Sequence, residues 1–142
     1  MKRAQIFSFL LVFAMLITCC SAANITPDQP SASPTLAAYA AYLDPGDSSG
    51  DIIITYDVQA KRIADYVGVE TISIYKSNGT YVTTIYGSTS NGLIRTNASR
   101  HLSEYIYHGT SGTTYYAIVT VFATIGSDYD SQTVSTYDAT AP

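Results

Sequence analysis

The side chains best suited to chemistry lie in one stretch, Arg100-His101-Leu102-Ser103-Glu104-Tyr105-Ile106-Tyr107-His108-Gly109-Thr110-Ser111. It holds the only two imidazoles of the chain, with Glu104 between them. A two-histidine metal site needs both rings on one side, but in an extended strand His101 and His108 have opposite parity and face opposite ways. Pairing His108 with Ser111 as base and nucleophile needs a tight turn and an orienting acid. The nucleophile-elbow pattern G-x-S-x-G is absent. Ordinary strand-end and loop residues account for the stretch, so no catalytic residue and no enzyme activity is expected. A small hydrolase using His108 or Glu104 stands as an alternative.

Carboxylates suggest a second chemistry. Asp44, Asp47 and Asp51 in Asp44-Pro45-Gly46-Asp47-Ser48-Ser49-Gly50-Asp51 could offer oxygen ligands to calcium, as could Asp128 and Asp130 in Gly126-Ser127-Asp128-Tyr129-Asp130-Ser131. Calcium favours several carboxylate and carbonyl oxygens. Neither segment has the alternate-residue spacing and terminal glutamate of an EF-hand loop, and Asp and Gly build turns without a metal. The expectation is therefore no metal and no cofactor.

Tyrosine is the third candidate. All thirteen tyrosines follow residue 24, beside a single later aromatic of another kind, Phe122. A phenol offers a rigid apolar face and a hydrogen-bonding tip at low entropic cost, which suits binding surfaces. Tyr75, Tyr81, Tyr86 and Tyr129 are the candidates for a surface cluster. The competing explanation is that tyrosine is a favoured strand residue and stabilises sheets through cross-strand pairs.

The elements that position these groups begin after an amino-terminal segment of a different kind. Lys2 and Arg3, an apolar stretch from Ile6 to Ile17 and small residues at Ala22 and Ala23 have the layout of a secretory signal peptide covering 1–23. The stretch falls short of the ~20 apolar residues a membrane span needs. Leu16-Ile17-Thr18-Cys19 resembles a bacterial lipobox but departs from it at Thr18, so a lipid anchor on Cys19 at the cell surface is the alternative to free secretion. Residues 24–34, with three prolines, read as a flexible leader.

Removing residues 1–23 takes away both cysteines, leaving no disulfide framework. The remaining residues, about 119, are enough for one domain with one core. They carry five basic and eleven acidic side chains. That balance repels phosphate backbones and anionic lipid, which excludes nucleic acid and membrane surfaces as partners. Sequons at Asn24, Asn78 and Asn97 fall in segments expected to be exposed.

Strand signals fill residues 35–138. Residues 35–43 read as a first strand with Leu36, Ala38, Ala40 and Tyr42 on one face. Ile52, Ile54, Tyr56, Val58 and Ala60 alternate with Thr55, Asp57 and Gln59, the pattern of a half-buried strand. Ala60, Ile63, Ala64 and Val67 then fit a short helical crossover ending at Gly68. Ser77-Asn78-Gly79 between two β-forming runs is a hairpin signal. Residues 92–99 read as a short edge strand on which Arg95 discourages pairing, and 101–109 as another strand. Thr113 to Gly126 is the strongest strand, followed by an acidic turn at 126–131 with Tyr129 at its tip, a last strand, and a tail at 139–142.

The final hairpin carries a family resemblance. Gly112-x-x-Tyr115-x-Ala117-x-Val119-x-Val121-x-Ala123, followed by a glycine turn and a polar strand, is similar to the last hairpin of fibronectin type III and related immunoglobulin-like domains. The resemblance implies an all-β, single antiparallel sandwich of about seven to eight strands. It also implies that Tyr115 is a tyrosine corner, its hydroxyl bonded to upstream backbone. Fibronectin domains usually carry a tryptophan in the second strand, and this chain has none. Gly68-Val69-Glu70-Thr71-Ile72-Ser73-Ile74-Tyr75 and His108-Gly109-Thr110-Ser111-Gly112-Thr113-Thr114-Tyr115 further resemble small secreted proteins of Gram-positive, clostridia-like bacteria, a group with no activity to carry over. The resulting expectation is a secreted, noncatalytic binding or adhesion module for an extracellular protein or glycan. A carbohydrate-binding module using exposed tyrosines is the runner-up.

Overall fold

Alternation of apolar and polar residues extends much further than a single half-buried strand requires. In a computed structural model that describes residues 33–142, residues Asp51–Lys76 form one continuous strand of 26 residues, β2. It follows β1 (Leu36–Pro45) and precedes β3 (Tyr81–Tyr86), β4 (Ile94–His108), β5 (Thr114–Ile125), β6 (Asp128–Ser135) and β7 (Ala139–Thr140). Every pairing is antiparallel. The architecture is all-β with seven strands, as the sequence pattern predicts. The amino-terminal expectations, for the signal segment, Cys19, Asn24 and most of the leader, lie outside the described residues.

A strand has two hydrogen-bonding edges, yet β2 serves four neighbours by serving them in succession. Its first half pairs with β1, and β4 pairs with it from Asp51 to Gly68. Its second half pairs with β3 and β5, while β6 and β7 add to β5. One core runs through both halves, from Leu36, Leu43, Ile52 and Ile54 to Ile72, Ile74, Val119 and Val121. Thr35 joins them directly, its hydroxyl donating to Ala123 O at 3.0 Å.

Residues 60–68 form no helical crossover. Ala60, Ala64 and Val67 are buried, but Ile63 is 70% exposed, and the strand runs through all four. The buried parity of β2 changes twice: even residues from Ile52 to Ala60 and Ala64, odd residues Val67 and Val69, then even residues Ile72 and Ile74. Buried positions at 60, 64 and 67 thus mimic the i, i+4, i+7 spacing of a helix. The second change is a β-bulge at Glu70, where Val69 and Thr71 face consecutive residues Val121 and Thr120 of β5. Gly68 is fixed by two constraints, its φ of 152° and the carbonyl of Leu93, which occupies the space a side chain would need.

Other differences have equally local causes. A bulge between Leu36 and Ala38 shifts the register of β1, so the buried residues are Leu36, Ala41 and Leu43, and Tyr42 faces solvent. The two strands read over 92–109 are one, β4, carried past an irregularity where Asn97 adopts φ 51°, a conformation asparagine tolerates. The turn after β5 is only Gly126-Ser127, since Ile125 pairs with Asp128 and Thr124 with Tyr129, so Tyr129 lies within β6 and not at a turn tip. Residues 139–142 are no tail. Ala139 and Thr140 pair with Tyr115 and Thr114, Ala141 is buried, and Gly50 N donates to Pro142 O at 2.7 Å.

Replacing Gly68 with alanine forces a side chain toward Leu93 O in a disfavoured backbone region, at a cost of about 2 kcal/mol. Gly79 also has positive φ (85°), but nothing lies near it, and asparagine there is tolerated. Urea denaturation is expected to show a large drop in midpoint for Gly68→Ala and almost none for Gly79→Asn.

Candidate functional site

Tyrosines at 75, 81 and 116 are drawn together by strand register. Across β2 and β5, Tyr75 is paired with Tyr116, and across β2 and β3 it is paired with Tyr81. A register shift between Ile74 and Tyr75 brings Tyr81 into this row. Tyr75 and Tyr116 stack with centroids 5.2 Å apart and planes at 12°, and Tyr81 meets Tyr75 edge-on at 5.6 Å. Both geometries are preferred aromatic contacts. The Tyr81 hydroxyl donates to Thr84 Oγ1 at 3.1 Å, and Thr84 shares a 2.9 Å hydrogen bond with Ser73. Moving along the sheet, Ser73 faces Ile118, and Thr71 faces Thr120. These rows hold rings, hydroxyls and one isoleucine, with no charged side chain.

Of the four tyrosines singled out from sequence, Tyr75 and Tyr81 thus belong to one row. Tyr86 lies opposite Thr71 on the same sheet, two rows away and 74% exposed. Tyr129 packs on Phe122 with centroids 6.0 Å apart, and its hydroxyl donates to Glu70 Oε2 at 3.0 Å. The bulge that repairs the parity of β2 is therefore also what tethers Tyr129. Tyr116 was the residue to miss, because Tyr115 beside it carries the family resemblance. Its outward parity on β5, opposite a tyrosine on β2, was the available signal.

The histidines play separate parts, as their parity requires. His101 is buried, and its Nε2 lies 2.7 Å from Gly92 O and 3.3 Å from the Tyr56 hydroxyl. Donation to a carbonyl places a proton on Nε2. Tyr56, fully buried, also donates to Gly92 O at 3.1 Å, and burial pushes its phenol above the ordinary tyrosine range. His101 Nδ1 is buried with no partner among the described residues. Leu93, in the core beside this cluster, is held by the 87–93 loop, where Asn91 Oδ1 accepts from Ser88 N and Leu93 N.

His108 lies on the opposite, exposed side, with Nδ1 2.6 Å from Asp51 Oδ1. An orienting acid is therefore present, but among the described residues no hydroxyl is hydrogen bonded to His108, and Glu104 has no partner in a catalytic arrangement. Asp51 is committed to that histidine. Asp44 lies in β1 opposite Ile53 of β2, Asp47 stands in the turn, Asp128 opens β6, and Asp130 accepts a hydrogen bond from Ser33. Among the described residues no group of three or more histidine, cysteine or acidic side chains is placed to hold a metal ion.

Tyr115 is buried, and its hydroxyl accepts a hydrogen bond from Thr110 N at 2.9 Å. Gly109 lies directly against that ring and hydroxyl, leaving no room for a side chain. On the exposed face of β4, Arg100 makes a bidentate pair with Asp57 through contacts of 2.8 and 2.6 Å.

No family model matches the chain, and no curated protein matches it. Solved structures similar to it include a family 76 glycoside hydrolase from a bovine Bacteroides thetaiotaomicron strain, at 14% identity and TM-score 0.46, covering 75% of this chain and 20% of that one. A Parabacteroides merdae β-glucuronidase is similar at 12% identity and TM-score 0.34, covering 71% and 13%. The CooA pilin subunit from enterotoxigenic Escherichia coli is similar at 13% identity and TM-score 0.31, covering 71% and 88%. The chain spans about a fifth of the first of these and about an eighth of the second.

Two local interactions are directly testable. Tyr115→Phe leaves Thr110 N–H without its acceptor and is expected to cost about 1 kcal/mol in denaturant unfolding. The hydrogen bonds from Arg100 hold the Asp57 carboxyl below its ordinary range, against a smaller upward push from desolvation. A depressed carboxylate stabilises the fold above its unfolded pKa, and that contribution is lost as pH falls through the folded value. Parent protein is thus expected to exceed Asp57→Asn in stability at neutral pH, with the gap closing in acid, below about pH 4.

Proposed function

We propose that the chain is a secreted, noncatalytic binding module that meets its ligand through the Tyr81–Tyr75–Tyr116 row. Secretion rests on the signal-like layout of residues 1–23. The binding face rests on one observation: three rings from three strands form a continuous row on an open sheet, flanked by hydroxyls. An ordinary solvated face would carry charges at these positions, and this one carries none between the tyrosine row and Thr71–Thr120.

The chemistry of that face favours a neutral, polyhydroxylated ligand, a glycan, over a charged peptide. The ring faces that no neighbouring tyrosine covers pack against the C–H faces of sugar rings, while the hydroxyls of Thr84 and Ser73 exchange hydrogen bonds with sugar hydroxyls. Stacking the rings on one another fixes them before binding, which limits the ordering cost on association.

A glycan array followed by titration of the best neutral polysaccharide tests this reading. Tyr75→Ala and Tyr116→Ala are expected to weaken binding about tenfold to a hundredfold, and Tyr86→Ala to do much less. Binding that survives both row substitutions in folded protein would assign the ligand to another face, and an array without any neutral-glycan signal would remove the glycan reading.

A further inference from the structure

We propose that two copies of the chain associate edge to edge through β4, antiparallel, about a twofold axis passing beside Leu102. Strand β4 pairs with β2 along one edge, and among the described residues its other edge has no strand partner. An edge of this length presents unpaired backbone donors and acceptors, which is a template for another strand unless something blocks it. The positive φ of Asn97 and a register shift before Arg100 interrupt β4, so its regular part runs from Arg100 to His108.

The side chains of that part are arranged as if to meet their own copy. Arg100, Leu102, Glu104 and Ile106 share the exposed face, with Leu102 58% and Ile106 44% exposed. Two antiparallel strands related by a twofold axis must match residues of equal parity, so the axis has to pass beside a residue of the strand. With the axis at Leu102, Arg100 of each copy lies opposite Glu104 of the other, and Leu102 lies opposite Leu102. Opposite charges face each other twice, and Leu102 faces its own copy. Moving the axis to His101 sets Arg100 against Leu102, and moving it to Ser103 sets Arg100 against Ile106. An axis at Arg100 or Glu104 sets like charges together, which is destabilising. Only the Leu102 register satisfies both charges.

The other face agrees. There the same register brings His101 opposite Ser103, with no pair of like charges. Arg100 is already oriented by its two hydrogen bonds to Asp57, through Nε and one terminal nitrogen, which leaves further donors for the Glu104 of a second copy. The edge charges that guard many sheets against pairing are here placed so that they admit one partner in one register. The result is an isologous dimer whose two sheets continue through β4, with Tyr75 of each row lying beyond the part of β2 that pairs with β4.

Charge exchange tests this directly. In sedimentation velocity the parent chain is expected to show concentration-dependent dimer. Arg100→Glu puts Glu opposite Glu, and Glu104→Arg puts Arg opposite Arg, so each variant alone is expected to stay monomeric. Mixed in equal amounts, they restore both opposite-charge pairs and are expected to form a heterodimer. Leu102→Lys, at an exposed position, is expected to abolish the parent dimer with an unchanged far-ultraviolet circular dichroism spectrum. A parent chain monomeric up to about 1 mM would overturn the proposal. So would a mixture that sediments as its separate components, or a Leu102→Lys variant that dimerises like the parent.

Discussion

The structure depends on the backbone hydrogen bonds of β2. Four strands draw on it, and a strand with two edges can satisfy four partners only by being long and by changing direction between them. Changing direction alters which residues face the core, and two parity changes within 26 residues are the consequence. The first requires close passage past Leu93, which only glycine at position 68 permits. The second is absorbed by Glu70, an extra residue that returns Ile72 and Ile74 to the interior. Were either correction missing, one half of β2 would turn its isoleucines to solvent, since a shift of one residue exchanges the faces.

Surface chemistry follows from the same corrections. Because Ile72 and Ile74 face inward, Thr71, Ser73 and Tyr75 must face outward, and the pairing with β3 and β5 places Tyr81 and Tyr116 beside Tyr75. Glu70, displaced by the bulge, reaches the hydroxyl of Tyr129. In the first half, the even residues inward leave Asp57 outward, within reach of Arg100 on β4. Polar groups that do enter the core are paired almost completely. Tyr56 and His101 converge on Gly92 O, and Thr136 both donates to and accepts from Ala117.

How much of this was legible in the sequence depended on whether a signal was local. Ile52 to Ala60, the Asn78-Gly79 hairpin and the alternation of β5 all read correctly, because period two and a short Asn-Gly turn are properties of adjacent residues. The course of residues 60–68 did not, since a strand that changes parity imitates helical spacing. Bulges at Ala37 and Glu70 are set by partner strands far away in sequence, so the buried face of β1 could not be found from its own pattern. Asp128 to Ser131 looked like turn residues because their composition says so, but pairing with β5 overrides composition. Tyr75 and Tyr81 were visible as candidates individually. Their contact with each other and with Tyr116 is a fact of register, which one sequence does not display.

The claim on which the rest hangs is that β2 is one strand through residues 60–68, joining both halves of the sheet. Native-state hydrogen exchange measures this most directly. Val69 N donates to Leu93 O at 2.8 Å inside the fold, and Val67 is paired on both edges of β2. Both amides are expected to exchange as slowly as those of Ile54 and Ile74, through global unfolding alone. Rapid exchange across 60–69, with slow exchange to either side, would show two strands joined by a loop and would contradict the account.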